Sequence, residues 1–343
     1  MSLRSALLCL LVAAAAPAVA QQAADPPIRG IVVSCPRWGP IWGSPAMAQS
    51  LAEIRALGAG WAAIHPYAWI GRDGAVRHRP AAELEFLHRA VELAEEAGIT
   101  LFWKPHLAYW GSFAWRGDIE FGGDQAAWRR FFDGYRAFIV DQARLAERAG
   151  VPLFAVGVEL DKTTGREGEW RRIVRDVRAV YRGRLVYAAN WDALDRVPFW
   201  DAVDLVGVHG YFPLATEDDP GLPALRRGWD GPLTRLAALS RATGKPVLFA
   251  EIGYNRSPDA ARTPWDHQVR DTPAARELRR RLIRAAVERL EAEPWVAGMF
   301  WWKWIPGDAR HDRDFSMKNP EAREALARAW GATAPARDSA TAR

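Results

Sequence analysis

KPVLFAEIGYN, residues 245–255, opens on a Lys-Pro pair and runs through Val247, Leu248, Phe249 and Ala250. It then sets a carboxylate, Glu251, ahead of Gly253 and Tyr254. A short apolar run of this kind predicts a strand covered on both faces. Ending such a strand on a glutamate puts an ionisable group where burial is costly, unless the strand end opens onto a site. Downstream, RELRRRLIRAAVERL at 276–290 repeats apolar residues three and four apart, the spacing of a helix packed along one face. A buried strand followed by an amphipathic helix is the unit of a parallel sheet.

Working outward, the same unit recurs along the chain. The strand-like runs are GIVVSCPRW, WAAIHPYAW, TLFWKPHL, PLFAVGVEL, RLVYAANWD, DLVGVHGYF, KPVLFAEIGY and WVAGMFWWKW. Between them lie helical stretches such as AAELEFLHRAVELAEEAG and WRRFFDGYRAFIVDQARLAERAG, each stopped by a glycine. The fifth connection, ALDRVPFWDAV, is too short for a clear helix. Eight β/α pairs without a Gly/Ser linker predict one closed parallel barrel of the (β/α)8 TIM type over residues 28–330. The open doubly wound sheet is the alternative, but no glycine-rich phosphate loop follows the first strand.

The ends of the chain read differently. Residues 1–20, MSLRSALLCLLVAAAAPAVA, have a basic start, an apolar middle and a small-residue close, the layout of a secretory signal peptide. We expect cleavage near Ala20, no later membrane span, and a secreted or periplasmic product. The last residues, 331–343, are small and polar and predict a disordered tail. Cleavage removes Cys9, one of two cysteines, so the mature chain keeps Cys35 and forms no internal disulfide. It also removes Arg4, so 46 basic against 41 acidic residues become 45 against 41. That mild excess lies in helical stretches interleaved with acids, as on a solvated face, and predicts no nucleic-acid partner. A monomer is expected.

In a barrel of this type the chemistry sits at the carboxyl ends of the strands. Those ends carry Arg37 and Trp38, His65 and Tyr67, Lys104 and His106, Glu159, Asn190 with Trp191 and Asp192, His209 with Tyr211, Glu251 with Tyr254, and Trp302 to Trp304. Burying so many polar groups at one mouth without a function would be costly. Glu159 and Glu251 end the fourth and seventh strands, nearly opposite each other. Opposed carboxylates suit glycoside hydrolysis: about 5–5.5 Å apart for retention, about 6.5–9.5 Å for inversion. One must hold a proton while the other stays ionised, so their surroundings must differ. We expect Arg37, His209 or Tyr254 to hold Glu251 ionised.

The chain contains 18 tryptophans, and Trp38, Trp103, Trp110, Trp191, Trp302 and Trp304 fall at or just beyond strand ends. Flat rings cover the apolar faces of sugars, while amide and ionic neighbours take the hydroxyls. The residues read as substrate-binding are therefore Trp38, His65, Lys104, His106, Asn190, Trp191, His209, Tyr211, Tyr254, Trp302 and Trp304. Trp128, Trp170, Trp229, Trp295 and Trp330 read as ordinary packing.

FAVGVEL around Glu159, LFAEIGY around Glu251, FWWKW on the last strand and DFSMKNPEA after it resemble glycoside hydrolase family 113. The resemblance spans essentially the whole mature chain. It implies a barrel enzyme that cleaves β-1,4-mannan with retention, with Glu159 as acid/base and Glu251 as nucleophile. Val158 departs from the asparagine that many members of the wider clan place before the acid/base to bind the sugar 2-hydroxyl. The resemblance leaves that contact to Asn190, Lys104 or His106.

Two other classes remain in view. His65, His106, His209, Asp192 and Glu159 could gather a metal in a metal-dependent barrel hydrolase, although the paired histidines two apart on the first strand are missing. A non-catalytic carbohydrate-binding barrel would use the same mouth without turnover. The reading carried forward is a hydrolase of β-linked polysaccharide that needs no cofactor or metal.

Overall fold

Each of the eight apolar runs contributes a barrel strand in the computed structural model, which describes residues 26–307 and 314–331. The predicted signal segment lies outside the described residues, as does the predicted tail beyond Gly331. In chain order the strands are β1 (Ile28–Val33), β2 (Trp61–Ile64), β3 (Tyr67–Ile70), β4 (Val76–Arg77), β5 (Thr100–Trp103) and β6 (His106–Ala108). They continue with β7 (Leu153–Val158), β8 (Arg184–Asn190), β9 (Leu205–His209), β10 (Val247–Ile252) and β11 (Val296–Trp304). Strands β1, β2, β5, β7, β8, β9, β10 and β11 close into a parallel barrel in that order, and β3, β4 and β6 form a separate small sheet.

The helices are α1 (Pro45–Ala56), α2 (Glu85–Glu96), α3 (Gln125–Arg148), α4 (Glu167–Arg178), α5 (Leu222–Gly228), α6 (Asp230–Thr243), α7 (Pro273–Leu290) and α8 (Pro320–Ala329). The short fifth connection, between β8 and β9, carries two single 3-10 turns in place of a helix. Helix α3 shows why these stretches are helical. Asp124 caps it by accepting from the backbone N–H groups of Ala126 and Ala127, each at 2.9 Å. Phe131, Tyr135, Phe138, Ile139 and Gln142, spaced three and four apart, then form its buried face. Each large apolar side chain among them stabilises the fold by about 1.5–3 kcal/mol, and Gln142 accepts from the Trp103 indole N–H at 2.9 Å. Arginines of α4 and α7 pair with neighbouring acids, as at Arg171 with Glu167 and Asp201 and at Arg284 with Glu288. This is the solvated face expected from the charge pattern.

Packing between helices and barrel is close enough to dictate single residues. The Trp170 ring of α4 lies 5.2 Å from Tyr187 and 5.4 Å from Phe199. A Cβ at Gly157 would meet both Trp170 and Tyr187 at 2.7 Å, so β7 needs glycine there.

The barrel interior explains how apolar strands come to end in polar groups. Its floor is filled by Ile28, Val32, Ala63, Phe102, Leu153, Ala155, Val186, Ala188, Leu205, Leu248, Ala250 and Phe300. Two residues further along the same face of β2, β5 and β8, Ala63 gives way to His65, Phe102 to Lys104 and Ala188 to Asn190. Three strands break the alternation. The register slips between Ala155 and Gly157 in β7 and between Phe249 and Glu251 in β10, and β11 skips Lys303 opposite β1. A bulge re-aims the side chains that follow it. In β10 it turns Glu251 inward where strict alternation would have placed Ile252.

Candidate active site

The two glutamates meet over one imidazole. Nδ1 of the fully buried His209 lies 2.9 Å from Oε1 of Glu159, and its Nε2 lies 3.6 Å from Oε2 of Glu251. The imidazole therefore bridges the two carboxylates and lies closer to Glu159. One ring thus touches both carboxylates, and both line one cavity.

Glu251 is the more firmly held. Lys104 Nζ donates to its Oε2 at 2.9 Å and to the Ala250 carbonyl at 3.1 Å, and the Tyr211 hydroxyl donates to its Oε1 at 2.7 Å. Burial pushes the Glu251 pKa upward, but His209, the Lys104 charge and the hydrogen bonds from Lys104 and Tyr211 outweigh it and hold it at about 2. Burial also pulls the Lys104 pKa down, against the upward pull of Glu251. We take the pair as ionised, because Nζ has two oxygen acceptors and the carboxylate two donors.

Glu159 sits in a different balance. It follows β7 with φ of 51°, a left-handed conformation uncommon for a side-chain-bearing residue, and its N–H donates to the Ala188 carbonyl at 2.8 Å. Arg116 Nη1 stands 3.6 Å from its Oε2. Burial raises its pKa, His209 and Arg116 lower it, and the charge of Glu251 raises it; the net displacement is downward.

Around the pair opens a cavity of about 1020 Å³. One wall is the small sheet. Prolines follow His65 and Lys104, ending the β2 and β5 ladders, and the chain re-pairs as β3 and β6 above the barrel. Tyr67, His106 and Trp110 come from this wall. Trp38 and Trp110, 50% and 55% exposed, flank Tyr67 at 6.0 and 5.5 Å. Across the cleft Trp191 stacks on Trp265 at 5.6 Å and 18°, and Trp265 is 44% exposed, so both sides offer open aromatic faces.

The predicted site residues fall into three groups. Trp38, His106, Asn190, Trp191, Tyr211 and Trp302 line the cavity with both glutamates. His65, Lys104 and His209 are fully buried and lie off its wall; Lys104 and His209 act on the carboxylates from below. His65 packs among Trp42, Tyr67, His106 and Trp302, and burial, with Lys104 and Arg116 adding, pushes its pKa down to about 3. Tyr254 and Trp304 do not line the cavity. Tyr254 is buried beside Trp301, and the bulge in β11 brings Lys303 to the cleft while turning Trp304 outward against Lys318 and Arg323. Of the partners expected for Glu251, Arg37 is an exposed rim residue and Tyr254 is elsewhere; Lys104 and Tyr211 take their place. Val158 is buried in the barrel floor and offers nothing to a sugar. Among the described residues no three His, Cys, Asp or Glu side chains gather as a metal donor set.

The sequence reading missed Arg116, Trp265, His267 and Lys303, all on the cavity wall. The first three lie in loops, where no periodic pattern marks direction.

The model of Glycoside Hydrolase Family 113 matches residues 39–319. The chain belongs to glycoside hydrolase family 113. It is thus a glycosyl hydrolase built on the family's barrel. Among solved structures it is similar to the GH113 β-mannanase AaManA from Alicyclobacillus acidocaldarius in complex with ManMIm. That likeness has a TM-score of 0.76 and 24% identity, over 90% of this chain and 98% of that one. A GH113 β-1,4-mannanase complex gives a TM-score of 0.76 at 20% identity, over 90% of this chain and all of that one. A family 5 mannosidase from Rhizomucor miehei gives 0.58 at 13% identity, over 89% and 92%. No curated protein matches the chain. Among the described residues no helix is long and apolar enough to cross a membrane.

Proposed function

We propose that this family 113 hydrolase cleaves β-1,4-linked mannan with retention, with Glu251 as nucleophile and Glu159 as acid/base. The observation that carries the reading is the asymmetry of the pair across His209: Glu251 is pinned as a carboxylate by donors from both Lys104 and Tyr211, whereas Glu159 has His209 Nδ1 at 2.9 Å and Arg116 only at 3.6 Å. A buried, firmly ionised carboxylate suits attack on carbon, and one without a lysine ion pair suits proton traffic.

In the first step an oxygen of Glu251 bonds to the anomeric carbon as the glycosidic bond breaks, and Glu159 gives its proton to the departing oxygen. The charge of Glu251 helps Glu159 to hold that proton beforehand. Once Glu251 is esterified its charge is gone, and Glu159 becomes the carboxylate that deprotonates the incoming water. Water then bonds to the anomeric carbon, the ester breaks, and Glu251 leaves as a carboxylate.

The structural relatives named as β-mannanases support mannan as substrate. The first twenty residues support export, to periplasm or medium, and we propose that the mature chain acts as a monomer. A 2-deoxy-2-fluoro-β-mannosyl fluoride tests the mechanism by trapping the covalent intermediate. Mass spectrometry should find the label on the peptide containing Glu251, and a label on any other residue would overturn the assignment.

A further inference from the structure

Arg116 lies outside every strand, in a single 3-10 turn (Arg116–Asp118) after β6, yet its guanidinium reaches two groups in the cleft. Nη1 meets Nδ1 of His106 at 2.9 Å and stands 3.6 Å from Oε2 of Glu159. Arginine only donates, so this contact makes Nδ1 of His106 the acceptor and leaves the ring proton on Nε2. The His106 ring is stacked on His65 at 4.7 Å and 16°, and His65 is closed in by the edges of Trp42 and Tyr67. Burial holds both imidazoles neutral. The guanidinium therefore rests on a rigid, uncharged wall, and among the described residues Glu159 supplies its one carboxylate within 4 Å.

We propose that Arg116 is a positioning residue that anchors the Glu159 carboxylate to the His106–His65 stack, and that this anchor fixes the upper pH limit of catalysis. The proposal rests on Glu159 being the acid/base. Around Glu159 stand His209 from β9, Glu251 from β10, Lys104 after β5, Asp161 from the following turn, and the hydroxyls of Tyr187 and Tyr211. Of these groups, His209 also touches Glu251 and Lys104 is bonded to it. Arg116 is the cation beside Glu159 that Glu251 does not share, so its removal should act on one carboxylate alone.

The test measures kcat/KM against pH on mannooligosaccharides for the wild-type enzyme, Arg116→Gln and Arg116→Lys. A charge at this distance displaces a carboxyl by about one to three pH units. Arg116→Gln should therefore move the alkaline limb upward by about one unit or more and leave the acid limb in place. Arg116→Lys, which keeps the charge, should hold the limb near wild type while losing rate. His106→Leu, which keeps Arg116 but removes its anchor, should move the limb the same way by less, and serves if Arg116→Gln does not fold. A uniform fall in kcat/KM with both limbs fixed would overturn the proposal.

The underlying reading is checked separately with Glu159→Ala, an activated aryl β-mannoside and azide. Azide nitrogen should bond to the anomeric carbon as the Glu251 ester breaks, restoring turnover as a β-mannosyl azide. Absence of rescue would overturn the role of Glu159 and the proposal with it. Rescue with unmoved limbs would overturn the proposal alone.

Discussion

Replacing Lys104 with methionine keeps the length of a fully buried side chain while removing the ammonium bonded to Glu251. The ion pair is 2.9 Å long and Lys104 has no exposure. Breaking a buried pair by removing one partner costs about 3–5 kcal/mol, because the remaining charge is left uncompensated. Glu251 then keeps His209 and the Tyr211 hydroxyl but not the ammonium, and relieves its burial by taking up a proton. Against the ordinary carboxyl value of 4.5, that uptake costs about 1.4 kcal/mol per pH unit, or about 3.5 kcal/mol at pH 7. The sign then follows. In the wild type the depressed Glu251 contributes stability above pH 4.5 that is lost as pH falls toward about 2. In Lys104→Met the carboxyl is raised, the native state binds the extra proton, and stability falls as pH rises. The difference between the two proteins should be about 3–5 kcal/mol at pH 7 and shrink by roughly 1.4 kcal/mol per pH unit toward pH 5. Urea unfolding followed by circular dichroism at pH 5, 6, 7 and 8 measures it. A difference below about 1 kcal/mol at pH 7, or one unchanged across the series, would refute the reasoning.

Asp161 gives the opposite pH dependence. Burial, then the charges of Glu159 and Asp192, raise its pKa to about 7, so it contributes stability at low pH that is lost as pH rises from 3.8 through 7. Asp161→Asn should raise the urea midpoint at pH 8 and leave it unchanged at pH 4; equal midpoints at pH 8 would remove the argument. Both carboxyls are held below their ordinary values, Glu251 at about 2, and the proposed mechanism needs Glu251 ionised and Glu159 protonated. The bell of kcat/KM should therefore lie on the acid side of neutrality, and an alkaline limb above pH 7 would contradict it. Trp265→Ala should raise KM for longer mannooligosaccharides roughly threefold to tenfold, from the about 0.5–1.5 kcal/mol of a lost aromatic contact, with little change in kcat. An unchanged KM would show that the stacked pair does not meet sugar.

The barrel was legible because each strand is an apolar run too short for a helix, and each helix that follows repeats at three and four. Glu159 and Glu251 were legible because a carboxylate ending a buried strand needs a physical reason to be there. Strict alternation failed at the bulges. Trp302 was placed correctly by it, but Trp304 turns outward once β11 skips Lys303. The partner of Glu251 was missed for a related reason. Tyr211 and Tyr254 both stand just beyond strands, and which hydroxyl reaches the carboxylate depends on loop paths that residue spacing does not encode. Lys104 was seen as a polar group at a strand end, but not that it points beneath Glu251. Arg116 and Trp265 come from loops with no period at all, and only the folded chain brings them beside Glu159 and Trp191.

Stereochemistry at the anomeric carbon tests the two-glutamate account most directly. NMR should follow the first minutes of mannooligosaccharide hydrolysis by the mature enzyme, beside Glu251→Ala. The account predicts β-anomer first, α-anomer only as mutarotation proceeds, and no product from the variant. Initial release of α-anomer, or undiminished product from Glu251→Ala, would contradict it.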